Sequence, residues 1–516
     1  MSQRALTDPT VDTPSLDPSA HKENKKGRKK PCEGVIQRGT KSKVWYRASV
    51  HVWRCWTVQS PVSWCTLRVH CDVTGTEKTP ALPPSSSLAS AGPRSHDPGH
   101  LSGQFFFEYL VVVGLKRKAE AGSYEPQITY QFPKRDSLAK FQKEEEEKSL
   151  KAIALFCFPE GVNWAPLTEY PSETFSFVLT EVDGSRRNGY CRRLLPSGRG
   201  ARPPEAYCII SRLACFGLFS KIFDEVEKRR QKSMAMIYPF MQSLREAPVP
   251  APGNTVKITS FIPESGTEII SLTRPVDSRL EHVDFRALFR CLGDEEVLEV
   301  FAATVLERRI IFIADELSTL SQVLHAVAAL LYPFAWQHTF ISIVPTVLID
   351  VVMAPTPYLL GITSRMRDSI TDTSDVSGRQ VTITEDEDTI IPPKLQEELL
   401  QALGSRKKNS TEEELNKVVS EAFLSFFVKT VGHFTGHVRR RGGSQTAIFH
   451  KEKFCKAAEP KANRPFVTLF SKTQMFDIFI QHVERNPHQE GFFHKKIAAY
   501  QKAEKTKGGW ARGRVV

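Results

Sequence analysis

Between Leu317 and Ile349 the chain carries no Asp, Glu, Lys or Arg. A run like that must be buried, in protein or in lipid, so it constrains whatever folds around it. A membrane-crossing helix needs about 20 continuous apolar residues. Pro333, Pro345, His325, Gln337 and His338 interrupt this run. It therefore reads as a buried helix followed by a buried strand. The helix carries Leu320, Val323, Leu324, Val327, Leu330 and Leu331 on its inward side, and the strand is expected within TFISIVPTVLIDVV. Just upstream lies ERRIIFIADELSTLS, residues 307–321. It reads as a buried strand, a turn through Asp315 and Glu316, and a helix capped by Ser318. Before it, Asp294 is the expected cap of a helix carrying Val297, Leu298, Phe301 and Val305. Strand, helix and strand with continuous apolar runs predict parallel strands covered by helices.

A different pattern occupies the preceding third. FFFEYLVVVGLKRK reads as a buried strand from Phe105 to Leu115. In SETFSFVLTEVDGSRRNGYCRRLLP, Phe175, Phe177 and Leu179 alternate, Asp183-Gly184 supplies a turn, and a basic strand returns. AYCIIS adds a strand. CFGLFSKIFDEVEKRR then sets Phe216, Phe219, Ile222, Phe223 and Val226 on one helical face, with cations at its C-terminal end. An antiparallel sheet followed by helix makes an α/β layer. QSLREAPVPAPGNTVKI is a proline-rich joint to the second unit. From about Leu395 to Ala503 the spacing is mostly helical. Residues 1–104 differ again, closing on a Pro/Ser-rich linker composition. Within them VWYRASVHVWRCWTVQSPVSWC holds four of the seven tryptophans, and its alternation suits a small hairpin or an irregular insert.

Charge and cysteines exclude several classes. The net charge is +12, but basic clusters at His21–Lys30, RRNGYCRR, VRRRGG and the tail alternate with acidic runs such as KEEEEK and TEDEDT. No zinc-finger spacing or RNA-binding aromatic motif accompanies them, so no nucleic-acid partner is expected. Peripheral attraction to anionic membranes is the secondary expectation. Ten cysteines without a C-x-x-C pair, and a start without an apolar signal region, suit a reduced, cytoplasmic chain.

Motifs for covalent chemistry are missing. The IADELSTLS turn has no glycine and two carboxylates, so it would repel phosphate. There is no G-x-S-x-G elbow. His433 and His437 in HFTGH have i, i+4 spacing, but the Glu of H-E-x-x-H and a third ligand are missing. TEDEDT lacks the glycine and spacing of a calcium loop. No cofactor and no metal are expected. Arg186, Arg187, Arg192 and Arg193 read as ordinary exposed strand positions, or as a face for an acidic partner.

Eight blocks, in order, carry a family resemblance: FFEYLVVVGLKRK, YEPQITYQFPKR, LFCFPEG, FSFVLTEVDGSRRNGYCRRLLP, YCIIS, FSKIFDEVEKRR, VLERRIIFIADELSTLSQVLHAVAALLYPF and TIIPPKL. They resemble the DENN-domain family, most narrowly a short member of its subgroup two. The resemblance implies a tripartite α/β module. Residues 105–257 would form a longin-like upstream lobe, 258–404 an α/β central lobe and 405–495 a mostly helical downstream region. A disordered or irregular segment, 1–104, precedes them and a basic tail, 496–516, follows. It also implies guanine-nucleotide exchange on a Rab GTPase, of the Rab-nine class, without covalent chemistry. The setting would be cytoplasmic, with peripheral recruitment to endosomal or Golgi membranes. The alternatives are a non-catalytic Rab-binding trafficking scaffold or a splice-like variant with impaired exchange. On the ERRIIFIADELSTLS turn, Asp315, Glu316, Ser318 and Thr319 are the candidate GTPase-interface edge; the competing reading makes them helix caps only. Two departures stand out. Residues 1–104 do not look like the family's usual N-terminus. After YLLGI, where the family continues with an acidic-aliphatic strand, this chain has the polar TSRMRDSITDTSDVSGRQVTIT, which predicts a bare sheet edge in the central lobe.

Overall fold

In a computed structural model the described residues are 51–54 and most of 105–512, the exceptions being 119–122, 135–139, 162–163, 182–184, 264–265, 278, 372–389, 408, 441–446 and 487–489. All belong to one unit, Arg47–Val516. The Asp183-Gly184 turn, the TEDEDT run and most of residues 1–104 lie outside them.

The upstream lobe is built on five antiparallel strands: β2 (Tyr109–Arg117), β3 (Tyr124–Phe132), β4 (Glu173–Thr180), β5 (Arg186–Leu194) and β6 (Glu205–Ser211), in the order β3-β2-β6-β5-β4. Its apolar runs are explained by burial on both faces. Tyr109, Val111 and Val113 enter one core with Ile153 and Phe156 of α1 (Lys140–Cys157). Leu110 and Val112 enter another with Phe219, Ile222, Phe223 and Val226 of α2 (Phe216–Lys232) and Phe240, Met241 and Leu244 of α3 (Ile237–Glu246). Phe216 is only partly buried beside this core. Each fully buried side chain of this size contributes about 2 kcal/mol by leaving water. The buried Tyr190 hydroxyl is satisfied: it donates to the Leu213 carbonyl at 3.0 Å and accepts from the Cys215 N–H at 2.9 Å. The hairpin β7 (Thr255–Ile262) and β8 (Gly266–Thr273) places Ile258 and Leu272 in the same core.

The central lobe follows: α4 (Phe285–Cys291), α5 (Asp294–Val305), β9 (Arg309–Ala314), α6 (Leu317–Ala329), β10 (Thr339–Ile341), β11 (Tyr358–Thr363) and the short α7 (Asp368–Thr371). β9, β11 and β10 are parallel, as expected of strands joined by a helix. Ile310, Phe312 and Ala314 face α5 and α6; Ile311 and Ile313 face Val352, Tyr358, Leu360 and Ile362 on the other side. Gly361 permits close packing, because a Cβ there would meet the Ser342 carbonyl oxygen at 2.1 Å.

Four expectations are corrected here. TFISIVPTVLIDVV is not one strand: β10 ends at Ile341, and Thr346–Met353 coil into a 3-10 helix after Pro345, which has no N–H for a ladder. Asp294 is the first residue inside α5. The N-cap is Gly293, whose N–H donates to Glu296 Oε2 at 2.6 Å, and Asp294 pairs with Arg406 instead. Ser318 is the second residue of α6, and Glu316 occupies the N-cap. Finally, the outer edge of the central sheet is not bare. β1 (His51–Arg54) pairs antiparallel with β9, giving the order β1-β9-β11-β10. His51–Arg54 of the Trp-rich segment are thus a strand of the central sheet; the rest of that segment, on which the hairpin and irregular-insert readings fall, lies outside the described residues.

Downstream, α8 (Pro393–Gly404), α9 (Glu412–Val431), α10 (Lys451–Lys456), α11 (Arg464–Phe470), α12 (Gln474–Arg485) and α13 (Phe492–Arg512) dominate. Thr411 and Glu414 form a reciprocal capping box at α9. The region shares a core with the central lobe. Phe334 meets Phe427, Phe470 and Phe479 with ring centroids 4.9, 4.8 and 4.9 Å away, and Phe301 meets Phe423 at 4.7 Å. Glu307, with a φ of 52°, accepts from the Gln474 and Met475 N–H groups at 3.0 and 2.9 Å, placing a carboxylate on the α12 N-terminus.

Candidate functional site

The two α/β lobes meet along β4, the edge strand of the upstream sheet. An open edge exposes unpaired backbone groups, and α6 of the central lobe packs against it. The seam is stitched by polar contacts. Ser342 Oγ donates to the Ser176 carbonyl at 2.8 Å. The Thr346 N–H and Oγ1 both donate to the Pro159 carbonyl at 2.8 Å. Arg186 donates to the Trp336 carbonyl at 3.3 Å.

All four candidate interface residues lie at this seam, where β9 ends and α6 begins. Asp315 and Glu316 are exposed, Ser318 is half-buried and Thr319 is buried. Thr319 Oγ1 donates to Glu316 Oε2 at 2.8 Å. The Ser318 backbone N–H donates to Glu173 Oε2, across the seam, at 3.3 Å. So the first turn of α6 takes a carboxylate from the neighbouring lobe, where positive partial charge favours it. Burial raises the Glu173 pKa above the ordinary carboxylate value, and the bonds from Ser318 partly offset this. Thr319 and Ser318 are committed to holding the turn, while the carboxylates of Asp315 and Glu316 are presented outward. The arrangement can offer an acidic edge to a partner.

On the basic strand β5 both readings fail for three of the four arginines. Arg193 is 1% exposed and Arg192 8%. Arg193 donates to Glu160 Oε1 and Oε2 at 2.8 and 2.7 Å and to the Cys157 carbonyl at 2.7 Å. Its guanidinium sits 4.8 Å over Phe158 and 5.3 Å over Phe175. Arg192 bonds Thr174 Oγ1 at 2.7 Å and pairs with Asp224 and Glu227. Arg187 pairs with Glu108 at 3.0 Å and with Glu181. Arg186 lies at the seam. Arg187, Arg192 and Arg193 are neither ordinary surface positions nor available to an acidic partner, because the lobe's own carboxylates occupy them; Arg186 is exposed, as expected of an ordinary strand position.

His433 and His437 belong to the downstream fold. The His433 ring stacks on Phe454 at 4.3 Å with Nε2 3.0 Å from the Phe454 carbonyl. Burial holds the pKa of both below the ordinary histidine value. Among the described residues no three His, Cys, Asp or Glu side chains gather as a metal cluster, and no helix is long and apolar enough to cross a membrane.

Sequence reasoning missed Glu173, Glu160 and Thr346. One signal was present: the antiparallel register of the β4–β5 hairpin sets Glu173 opposite Arg193. The Thr346–Pro159 contact joins residues far apart in sequence and left no local trace.

Two lobes and a helical region built this way match three family models in chain order: the uDENN domain over residues 126–194, the DENN (AEX-3) domain over 202–383 and the dDENN domain over 449–496. The chain belongs to the DENN-domain family. It is 55% identical over 420 residues to DENN domain-containing protein 2D of Homo sapiens, covering 80% of this chain and 89% of that protein. The mouse protein of that name, from Mus musculus, is also 55% identical, over 90% of its length. DENN domain-containing protein 2B of Homo sapiens is 49% identical, but the match spans only 36% of that longer protein. The resemblance to a short member of subgroup two is therefore borne out.

Proposed function

We propose that this chain is a guanine-nucleotide exchange factor that promotes GDP release from a Rab GTPase, of the Rab-nine class. The observation that supports it most is the uDENN–DENN–dDENN series together with likeness over 89% of a short relative; the family acts on Rab GTPases. The proposed setting is cytoplasmic, with peripheral recruitment to endosomal or Golgi membranes. The proposed GTPase-facing edge is the seam turn, where Asp315 and Glu316 point outward and Ser318 and Thr319 hold their geometry.

Exchange of this kind needs no bond chemistry in the exchange factor. It needs tighter binding to the nucleotide-free GTPase than to the loaded one, and the coupling is reciprocal. Each tenfold loss of nucleotide affinity requires about 1.4 kcal/mol of differential binding.

The test is release of fluorescent GDP from a panel of purified Rabs, with the full chain added in catalytic amount after circular dichroism shows it folded. Acceleration on one or two Rabs, reduced at least tenfold by Asp315→Lys, is the expected result. Flat traces with retained Rab binding would replace exchange by the scaffold reading. That reading draws on the polar stretch after Gly361, where Asp368–Thr371 form a short helix.

A further inference from the structure

Helix α13 runs well past the residues that hold it to the body. It spans Phe492–Arg512, 21 residues, or about 30 Å at 1.5 Å per residue. Phe493 and Ile497 anchor it, 2% and 3% exposed, in the core shared by the central and downstream regions. The Phe493 ring packs 6.1 Å from those of Phe434 and Phe479. Beyond Ile497 the burial stops, and Ala498 to Thr506 are all exposed. An extension with no buried face has little beyond its own propensity to keep it helical, so a surface that binds it would also order it.

At about 100° per residue the charges sort by side. Phe493 and Ile497, one turn apart, define the docked side. Glu504 follows Ile497 by two turns and falls on that same side. Lys495 and Lys502 fall opposite, with Lys505 within roughly 80° of them, and all three are exposed. Lys496, on the flank, pairs with Glu421 of α9 at 3.2 Å. The outward side is therefore cationic, with the short Ala498 between the lysines and Ala499 and Thr506 beside them. From Lys505 to Val516 the sequence adds Lys507, Arg512 and Arg514 and no Asp or Glu.

We propose that this outward side of α13 docks on an anionic membrane surface. Lysines spread along one side of a straight helix meet a flat negative plane together, and their attraction to a leaflet of acidic lipid adds up. The core of a protein–protein interface is instead poor in Lys and rich in aromatic anchors, and this side of the helix presents no large apolar residue. For the same reason the helix lies against the headgroups rather than sinking among the acyl chains. The proposal rests on the membrane-recruitment part of the proposed function, and not on exchange.

The test uses the full chain with vesicles of phosphatidylcholine alone and of phosphatidylcholine with phosphatidylserine, read by flotation and by amide hydrogen exchange. The chain should float with the anionic vesicles and not with the neutral ones, and amides within 498–506 should exchange at least about threefold more slowly on them. Lys495→Gln, Lys502→Gln and Lys505→Gln together should lower binding on the order of 100-fold, about fivefold per lysine, with an unchanged circular dichroism spectrum. Raising the salt concentration should release the unsubstituted chain. Equal flotation of the variant overturns the proposal. So does anionic binding without protection at 498–506, which assigns the attraction to another basic cluster, such as His21–Lys30, and leaves membrane recruitment standing. No preference for anionic vesicles overturns both. GDP release from a soluble Rab is measured without vesicles, so its outcome bears on exchange alone.

Discussion

Replacing Arg193 by methionine should destabilise the upstream lobe by roughly 3–5 kcal/mol, the usual cost of breaking a buried, hydrogen-bonded ion pair. The structure sets the lower half of that range as the expectation. Arg193 is 1% exposed and gives two bonds to Glu160, one to the Cys157 carbonyl and a longer one to Tyr170 Oη at 3.4 Å. Met fills much of the volume beside Phe158, Trp164 and Phe175, so cavity cost is small. The loss is therefore mostly polar: a carbonyl left short of a donor, and a Glu160 carboxylate that, at 17% side-chain exposure, recovers only part of its solvation. Thermal unfolding by circular dichroism at pH 7 should show a drop on the order of 10 °C in Tm. Glu160→Gln and the double variant complete a cycle, with an expected coupling of about 2 kcal/mol. Raising salt should change that coupling little, because the pair is shielded from solvent. If Arg193→Met costs less than about 0.5 kcal/mol, as an exposed strand position would, or if the two single changes simply add, the buried-pair argument fails.

Gly361→Ala should cost about 3 kcal/mol or more, because its Cβ would strike a backbone oxygen; Gly217→Ala, with open space on α2, should stabilise by roughly 0.5–1 kcal/mol, and urea titration separates the two. His282 and His325 lie with ring centroids 6.0 Å apart, and burial pushes their pKa values down to about 4 and about 3. The unfolded chain therefore binds more protons below about pH 6.5, so stability falls as pH drops from there toward 4, by about 3 kcal/mol for His282 alone. His282→Gln should flatten that part of the stability–pH curve, and an unchanged slope would refute it. Burial raises the Glu173 pKa, so folding binds a proton more tightly there, and the stability this contributes is lost as pH rises through the folded pKa. Glu173→Gln, which keeps an acceptor for the Ser318 N–H, should thus gain on the unsubstituted chain as pH rises from 4 to 7. Glu173→Ala should cost about 1–2 kcal/mol at either pH, measured by chemical denaturation.

Much of this protein was legible in its residues. The alternating Phe175, Phe177 and Leu179, the helix through Phe219, Ile222, Phe223 and Val226, and the charge-free run through α6 all became the elements their periodicity predicts, because side-chain period and burial are local properties of the chain. The seam turn was legible too: Asp315 and Glu316 stand between strand and helix as read. Tertiary structure decided the rest. Arg192 and Arg193 read as surface cations from β5 alone, and only the approach of Glu160, Asp224 and Glu227 from other elements made their burial affordable in free energy. Glu316 holds the N-cap position of α6, but the acceptor for the Ser318 N–H is Glu173 on the neighbouring lobe, so no inspection of the helix's own first residues finds it. The strand expected within TFISIVPTVLIDVV stops at Ile341, and a 3-10 helix follows Pro345. The sheet edge that looked bare is paired by His51–Arg54, far away in sequence. Local pattern determines where strands and helices form. Which charge meets which, and which edge meets which strand, depends on contacts between distant segments, and these exist only once the chain has folded.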